Sequence, residues 1–413
     1  MIHSFEQALE LILQHATPLS PDVVSLGNLV GRVAAEEVSA PWDMPRWDNS
    51  EMDGFAVRAE DCSIGIELNV RGYIPAGMSA SGVEVTPGSA VRIMTGAPIP
   101  VGCDAVVPIE NTTPGDDKVC IDQLVTKGDF IRFRGNDMVS GESMIQAGTI
   151  LRPAEINLLA SFSRLQLKVY RRPRVAILST GDELVAPGEE AGDGQIVDSN
   201  RYSLAAAVKE LGAEPVLLGI AKDNLDSLSE KIKAGLEADV LITSAGVSAG
   251  DRDLVRDVLE QAGVKQLFWK VQMKPGGPTA FGVKGKQLAF SLPGNPVSSM
   301  ISFEQLVRPA LLKMLGYEKI LRAPVKVTLK TPLANETPKL RFLRVRVRET
   351  VDGFIAESAG NQNTGVLKTM LRANAIATLP PECSTLQPGD SAEVQFLNPE
   401  QFSACSVTAA DKI

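Results

Sequence analysis

Short apolar runs alternate with amphipathic stretches between residues 174 and 315, and this alternation constrains the fold more than any other feature of the sequence. The apolar runs predict strands at 174–179, 215–220 and 240–244. The amphipathic stretches predict helices at 201–211, 225–236, 253–262 and 296–315. Strands and helices in this order form a parallel sheet that is covered on both faces. We therefore expect a three-layer α/β domain over residues 171–318.

The flanking segments have a different texture. Ser4 to Gln7 form the pattern of a capping box, which predicts a helix from Phe5 onward. Further helices are predicted over 26–38 and over 152–165, where Pro153 suits the first turn. Short β-type runs separated by Gly and Pro predict a β insert over 46–137 and a small C-terminal barrel or sandwich over 319–413. Residues 1–45 and 138–170 are left as a helical and extended linking domain.

Charge and composition exclude several classes of protein. Lys and Arg number 41 against 50 for Asp and Glu, a net charge of −9. Broad attraction to nucleic acid or to anionic lipid is therefore not expected, and an anionic ligand needs a local group of cations. The two histidines, His3 and His15, argue against a histidine-rich metal site and against a Ser-His-Asp triad.

The chain has the features of a cytoplasmic protein. Its five cysteines form no C-x-x-C pair, which is typical of a reducing compartment. No apolar run approaches the roughly 18 residues of a membrane span. Glu6 and Glu10 lie where a signal peptide would be basic and then apolar. We expect no membrane association.

Ligands of parallel sheets bind beyond the carboxyl ends of the strands, so the loops there are the candidate site. Asp251 and Asp253 follow a small-residue loop whose amides suit a phosphate, and carboxylates suit Mg²⁺. Lys270 and Lys274 suit an oxyanion, and the turn before Pro296 opens a helix with partial positive charge at its start. Each loop alone is also explained as a turn or a helix cap. Together they indicate a phosphate-bearing ligand with Mg²⁺.

The segments in sequence order resemble one known family. The matching strings are DNSEMDGFA at 48–56, IMTGAP at 93–98, STGDEL at 179–184, GDGQ at 192–195, KPG at 274–276 and LPGNPVS at 292–298. They are similar to those of the molybdopterin molybdenumtransferases, the MoeA proteins and their eukaryotic relatives in the gephyrin E-domain. The resemblance extends over essentially the whole chain.

This resemblance implies a homodimer of four-domain subunits, with the active site between the α/β domain of one subunit and the β insert of the other. It implies that adenylylated molybdopterin and molybdate give molybdenum cofactor and AMP, with Mg²⁺ required. It also implies transient contact with the adenylyltransferase that supplies the substrate and with molybdenum enzymes that receive the product.

The resemblance further implies which residues form the site. Acidic catalytic residues would be Asp53, Asp137, Glu183, Asp223, Asp251 and Asp253, of which Glu183, Asp251 and Asp253 would hold Mg²⁺. Substrate-binding residues would be Thr95, Arg132, Thr180, Ser244, Gly246, Ser248, Lys270, Lys274, Pro293, Pro296, Ser298, Arg344 and Thr364. Many relatives have Lys-Pro-Gly-Lys where this chain has Gly277 in the fourth position, which removes one positive charge near the oxyanion.

Two alternatives differ in what they require. A molybdopterin adenylyltransferase shares the α/β domain but does not need the β insert or the C-terminal β domain, so the extra residues favour metal insertion. A non-catalytic molybdopterin-binding scaffold is allowed by the gephyrin resemblance, although the chain has no long linker to a partner domain.

Overall fold

The computed structural model describes residues 2–245 and 254–397. The chain divides into two compact units. The first comprises the described residues within 1–35, 148–152 and 166–413, and the second comprises residues 36–147 and 153–165.

A six-stranded sheet forms the centre of the first unit. Its strands lie in the order Glu214–Ala221, Arg174–Thr180, Val240–Ser244, Gln287–Leu292, Ala280–Lys284 and Lys265–Phe268. The first four are parallel and the last two are antiparallel to their neighbours. The α/β domain predicted from the alternation is therefore confirmed, with two antiparallel strands added at one edge.

Helices cover both faces of this sheet. They are Asn200–Glu210, Leu225–Gly235, Leu254–Gln261 and a long helix made of Pro296–Ser302, the π turn Phe303–Val307 and Arg308–Met314. Successive residues of a strand point to opposite faces. Val175 and Ile177 accordingly belong to one buried cluster, whereas Ala176 and Leu178 belong to another. The sheet thus has a hydrophobic core on each side.

The N-terminal part agrees with the sequence in one helix and differs in the next. Helix Phe5–His15 begins with the predicted capping box, in which Ser4 Oγ accepts from Gln7 N at 3.2 Å. The helix predicted over 26–38 was wrong, because only a 3-10 turn, Leu26–Asn28, forms there. Gly31 has a φ of +75°, outside the helical region, and the following residues form isolated β bridges instead.

The second unit is built on the predicted β insert. A six-stranded sheet has the order Ala105–Pro108, Gly54–Val57, Ser89–Ile93, Glu67–Ile74, Lys118–Ile121 and Thr112–Pro114. Two short pairs accompany it, Asn49–Ser50 with Ile131–Arg132 and Val38–Ser39 with Ser143–Ile145. The 3-10 turns are Ala59–Asp61 and Ile109–Asn111, and helix Pro153–Ser161 begins at the predicted proline.

The C-terminal part closes into a barrel. Its five strands pair side by side in the order Leu340–Thr350, Gly353–Ser358, Val325–Leu329, Ser391–Phe396 and Ala375–Leu379. The last of these strands also pairs with the first, which closes the barrel. The C-terminal part also contains the helix Lys368–Arg372 and the strand pair Leu333–Ala334 with Thr385–Leu386. Elsewhere in the first unit, Pro21–Ser25 pairs with Gln166–Tyr170. The predicted small C-terminal barrel is confirmed. In the described part of the chain, no helix is long and apolar enough to cross a membrane.

Candidate active site

A cavity of 350 Å³ opens at the carboxyl end of the central sheet. The ends of strands Arg174–Thr180 and Val240–Ser244 form part of its wall. The short parallel pair Leu184–Val185 and Ile196–Val197 lines a second side, and the turn before Pro296 lines a third. This is the edge at which parallel sheets bind their ligands.

Asn200 joins two walls of the cavity. Its side-chain Nδ2 donates to Ser244 Oγ at 2.8 Å and to the carbonyl oxygen of Gly294 at 2.7 Å. These bonds tie the end of one strand to the turn that opens the long helix. The position of that turn is therefore fixed by a buried side chain from another element.

A buried ion pair lies beside it. Asp198 Oδ1 accepts from Ser179 Oγ at 2.8 Å, and Asp198 Oδ2 is 3.1 Å from Arg201 Nε. Both charged side chains are almost completely buried. The cavity wall therefore contains a carboxylate whose charge is balanced within the protein.

Exposed carboxylates gather at the same edge of the sheet. Gly181 has a φ of +144°, and a Cβ at this position would clash with the carboxylate of Glu183. The glycine thus allows Glu183 to fold back over the chain. On the neighbouring strand end, Asp223 N donates to Asp182 Oδ1 at 3.2 Å. The predicted residues Glu183 and Asp223 therefore follow adjacent strands, and Asp182, which was not among the predicted site residues, connects the two strand ends.

The two predicted lysines lie on a segment that is paired on both sides. Lys270–Val271 pairs in parallel with Ile2–His3, and Met273–Lys274 pairs in parallel with Leu340–Arg341. Between them, Gln272 N donates to the His3 carbonyl at 2.9 Å. Lys270 is half-buried and Lys274 is exposed. The positions of the ammonium groups therefore depend on both the N-terminal strand and the C-terminal barrel.

The turn after Lys274 is tightly packed. Thr279 Oγ1 donates to the Gly276 carbonyl at 2.6 Å and contacts Ser302 Oγ at 2.9 Å. Gly276 has a φ of +96°, and a Cβ there would clash with Ser302. A Cβ on Gly277 would lie 3.0 Å from the Met273 carbonyl oxygen. Because Ser302 belongs to the helix that begins at the cavity, this helix also supports the lysine turn.

Predicted residues of the turn and its helix lie around this helix start. Pro293 and Ser298 are buried, and Pro296 is the first residue of the helix. Asn295 Nδ2 lies 3.4 Å from Thr364 Oγ1, in a loop of the C-terminal part. Thr364 therefore lies beside the turn that precedes the helix. Thr180 and Ser244, at the strand ends, are also buried.

Arg344 lies inside the protein, with 0% of its surface exposed. Its Nε donates to Thr369 Oγ1 at 2.9 Å, and its Nη2 donates to the carbonyl oxygens of Asn361 and Asn363 at 3.3 and 3.2 Å. Burial, together with the charge of Arg341, lowers the pKa of Arg344 to about 10. The guanidinium therefore holds the loop that carries Thr364.

Four predicted residues belong to the second unit. Asp53 Oδ1 accepts from both the backbone N and the hydroxyl of Thr95, each at 2.7 Å. These two hydrogen bonds lower the pKa of Asp53. Arg132 Nε is 3.9 Å from Glu51 Oε1, and Asp137 is exposed. The structure thus brings Asp53 and Thr95 together as one polar group.

The remaining predicted residues, Gly246, Ser248, Asp251 and Asp253, lie outside the described residues. Among the residues that are described, no three His, Cys, Asp or Glu side chains are close enough to form a metal site. The magnesium ligands therefore stay a prediction.

The fold and this cavity define a class of protein: a multidomain protein whose α/β domain has a cavity beyond the carboxyl ends of its parallel strands, where domains of this kind bind small ligands. Three family descriptions match successive parts of the chain. They are "MoeA N-terminal region (domain I and II)" at residues 3–163, "Probable molybdopterin binding domain" at 176–313 and "MoeA C-terminal region (domain IV)" at 326–397.

Individual relatives give the same result. The chain is 39% identical to the molybdopterin molybdenumtransferase of a Nostoc species, over 87% of this chain and 85% of that one. It is 34% identical to the enzyme of that name from Haemophilus influenzae, over 96% and 98% of the two chains. The crystal structure of the molybdopterin biosynthesis MoeA protein from Pyrococcus horikoshii matches with a TM-score of 0.81 at 30% identity, over 96% and 100%. The chain belongs to the molybdopterin molybdenumtransferase family, a family of transferases.

Proposed function

We propose that the protein inserts molybdenum from molybdate into adenylylated molybdopterin and releases AMP, a step of molybdenum cofactor biosynthesis. The cavity at the carboxyl end of the sheet carries this proposal. Its apolar sides, which include Leu184, Ile196 and Val197, suit the faces of a flat heterocycle. Its polar floor, formed by Ser179, Asp198, Asn200 and Ser244, suits the polar edges of such a ring.

Cationic groups in the same compact unit as the cavity suit the other parts of the substrates. Molybdate and the pyrophosphate both present oxygen anions, which fixed cations stabilise well in a site that excludes water. Lys270 and Lys274 supply such cations, and the helix that starts at Pro296 adds partial positive charge. Thr364 and Ser298 would add hydroxyl donors.

The acidic groups of this edge are the donors that we propose for a divalent ion. Mg²⁺ prefers a few carboxylate oxygens together with water and phosphate oxygens, and Glu183, which is exposed beside Asp182, offers such a group. We propose that Glu183, Asp251 and Asp253 hold the ion. When bound, it would neutralise charge on the phosphate oxygens of the substrate. Asp223, at the end of the adjacent strand, would orient the residues that hold the ion.

We propose that the active protein is a homodimer in which Asp53, Thr95, Arg132 and Asp137 of one copy serve the α/β domain of the other. These residues belong to a different compact unit from Glu183 and Lys274, which agrees with this division. Complementation tests it: mixed Asp53→Asn and Glu183→Gln subunits would regain part of the activity, since one site in each heterodimer is intact. Mixtures as inactive as the separate variants would contradict the shared site.

The reaction is tested by supplying adenylylated molybdopterin with molybdate and measuring AMP. Lys274→Ala is expected to reduce molybdate-dependent release by about 10²-fold, because a fixed donor facing the oxyanion is lost. Lys284→Ala is the matched control, since this exposed lysine lies in the antiparallel hairpin of the sheet. Unchanged release by Lys274→Ala at limiting molybdate would contradict the assignment. Rapid adenylylation of molybdopterin from ATP would favour the adenylyltransferase alternative.

We propose a cytoplasmic location and transient contact with the adenylyltransferase and with molybdenum enzymes. The four cysteines within residues 2–245 and 254–397, Cys62, Cys103, Cys120 and Cys383, form no disulfide with one another, which supports a reducing compartment.

A further inference from the structure

Two side-chain oxygens of the cavity wall lack hydrogen-bond partners among the described residues. They are Asp198 Oδ2 and Asn200 Oδ1. The two residues are 2% and 8% exposed, and both line the 350 Å³ cavity. Buried polar atoms are almost always hydrogen-bonded in native proteins, so each exception needs a cause. A ligand that donates to these two atoms would supply one.

The orientation of the Asn200 amide is fixed by its neighbours. Its Nδ2 faces the Gly294 carbonyl at 2.7 Å, which can only accept a hydrogen bond. A flipped amide would place oxygen against oxygen there. The unpartnered atom is therefore the acceptor Oδ1.

The free atom of Asp198 is also an acceptor. Its Oδ1 already accepts from Ser179 Oγ and from Arg201 N. Its Oδ2 is 3.1 Å from Arg201 Nε but not in hydrogen-bond geometry. Arg201, which is 7% exposed, balances the charge from within the protein. The ligand need not bring a cation, and it must bring donors.

The apolar part of the cavity limits the shape of that ligand. Ile196 and Val197 are 59% and 46% exposed, which is unusual for aliphatic side chains beside a polar floor. Such side chains pack well against the faces of a planar ring. A ring with apolar faces and one edge of adjacent N–H donors satisfies both parts of the cavity.

We propose that Asp198 and Asn200 determine the specificity for the heterocycle of the substrate. They accept hydrogen bonds from the 2-amino group and the adjacent ring N–H of the pterin, and Arg201 holds Asp198 in place. This inference rests on the proposed function, which supplies a pterin as the ligand, and it assigns two residues that are not among the site residues expected from the sequence.

Binding of two soluble heterocycles to the purified full-length protein tests it. Pterin-6-carboxylate carries the 2-amino donor, whereas lumazine-6-carboxylate has an oxygen acceptor at that position. Fluorescence titration should show that the wild type prefers the pterin by at least about 10-fold, since an acceptor would face an acceptor in the other complex. Equal affinity, or no binding of the pterin, would overturn the proposal without any variant.

The Asp198→Asn variant then tests the residue. Its amide can donate to the lumazine oxygen, so the preference should fall to near unity or invert, with a loss of about 10- to 100-fold in pterin affinity. Asp239→Asn is the matched control, because Asp239 is also paired with an arginine, at 2.7 Å from Arg171, but lies at the start of its strand. Retained preference in folded Asp198→Asn protein would refute the assignment.

The outcomes separate this inference from the proposed function. Wild-type protein that prefers the pterin but releases no AMP from adenylylated molybdopterin would contradict the proposed reaction alone. Protein that releases AMP in a molybdate-dependent way but binds both heterocycles equally would contradict the recognition alone.

Discussion

Replacing Arg344 tests whether this residue acts by holding the loop over residues 360–365. Arg344→Met removes three hydrogen bonds, to Thr369 Oγ1 and to two loop carbonyls. Arg344→Lys keeps the buried charge but replaces the forked guanidinium with a single ammonium, which cannot reach the same acceptors in the same geometry. Comparing the two variants therefore separates the unfavourable free energy of burying the charge from the favourable free energy of the hydrogen bonds.

The expected magnitudes follow from the buried environment. Hydrogen bonds to a charged group contribute about 1.5 to 3 kcal/mol each, and the longer ones here lie at the low end. Burial lowers the pKa of Arg344 from 12.5 to about 10, which corresponds to about 3 kcal/mol of unfavourable free energy for the charged form. Arg344→Met recovers that term, so its net destabilisation should be only about 1 to 3 kcal/mol. Arg344→Lys recovers none of it and should be the less stable variant.

Two measurements check this order. Urea unfolding of the C-terminal barrel, monitored by hydrogen exchange in its strands, gives the free energy of unfolding of the barrel itself. It does not assume a single unfolding transition for a chain with two compact units. Exchange of the 361–363 amides should rise in both variants. In the AMP assay, the KM for molybdate should rise if Thr364 is displaced. Arg346→Met is the control on the same strand, where the side chain is exposed.

The reasoning would be refuted if Arg344→Lys were more stable than Arg344→Met. It would equally be refuted if the loop amides of either variant exchanged as slowly as those of the wild type. Either result would mean that the guanidinium does not hold the loop.

Three further predictions concern other groups. Thr95→Val removes the hydroxyl donor that helps to lower the pKa of Asp53, so the acid limb of a pH profile of AMP release should shift to higher pH. Gly277→Lys should lower the KM for molybdate by restoring a cation, and Gly277→Gln, which meets the same close carbonyl without a charge, should not. Burial would raise the pKa of Asp239, but hydrogen bonds from Arg171 and from a backbone amide outweigh it and lower the pKa. The ionised Asp239 side chain therefore stabilises the folded protein above pH 3.8, and this stabilisation is lost as the pH falls through the lower pKa of the folded state. In urea unfolding, the free energy of unfolding of Asp239→Asn should depend less on pH than that of the wild type over this acidic range.

Local pattern was sufficient for the central sheet. Val240–Ser244 is buried between two parallel neighbours, and its apolar start, Val240 to Ile242, is visible in the sequence as a short run between polar residues. The segment over 26–38 shows the opposite case. Its apolar residues have near-helical spacing, but Gly31 takes a positive φ and Val33 and Ala34 bridge to distant residues. Tertiary contacts therefore decided its conformation.

Residues of the candidate site could be proposed from the sequence where the residue type by itself indicates chemistry. Glu183 is a carboxylate in the turn that follows a parallel strand, and Lys274 is a cation beside a Pro-Gly turn, so both were selected by charge and position, and their roles stay predictions. Asp198 and Asn200 gave no such signal, because a short polar run before a helix is usually a turn and a cap. Only burial, and the atoms left without partners, distinguish a cavity floor from an exposed turn.

The segment that carries the two lysines shows why the rest of the site could not be derived from sequence. Lys270–Val271 is paired with a strand near the start of the chain, and Met273–Lys274 is paired with the longest strand of the C-terminal barrel. Neither partner has a sequence feature that indicates this pairing, because two-residue strands carry almost no periodicity. The distance between the ammonium groups and the cavity is therefore a property of three remote segments acting together. Substitutions in Ile2–His3 or Leu340–Arg341 can change oxyanion binding without touching a ligand, and such effects will be mistaken for direct contacts unless KM and kcat are separated.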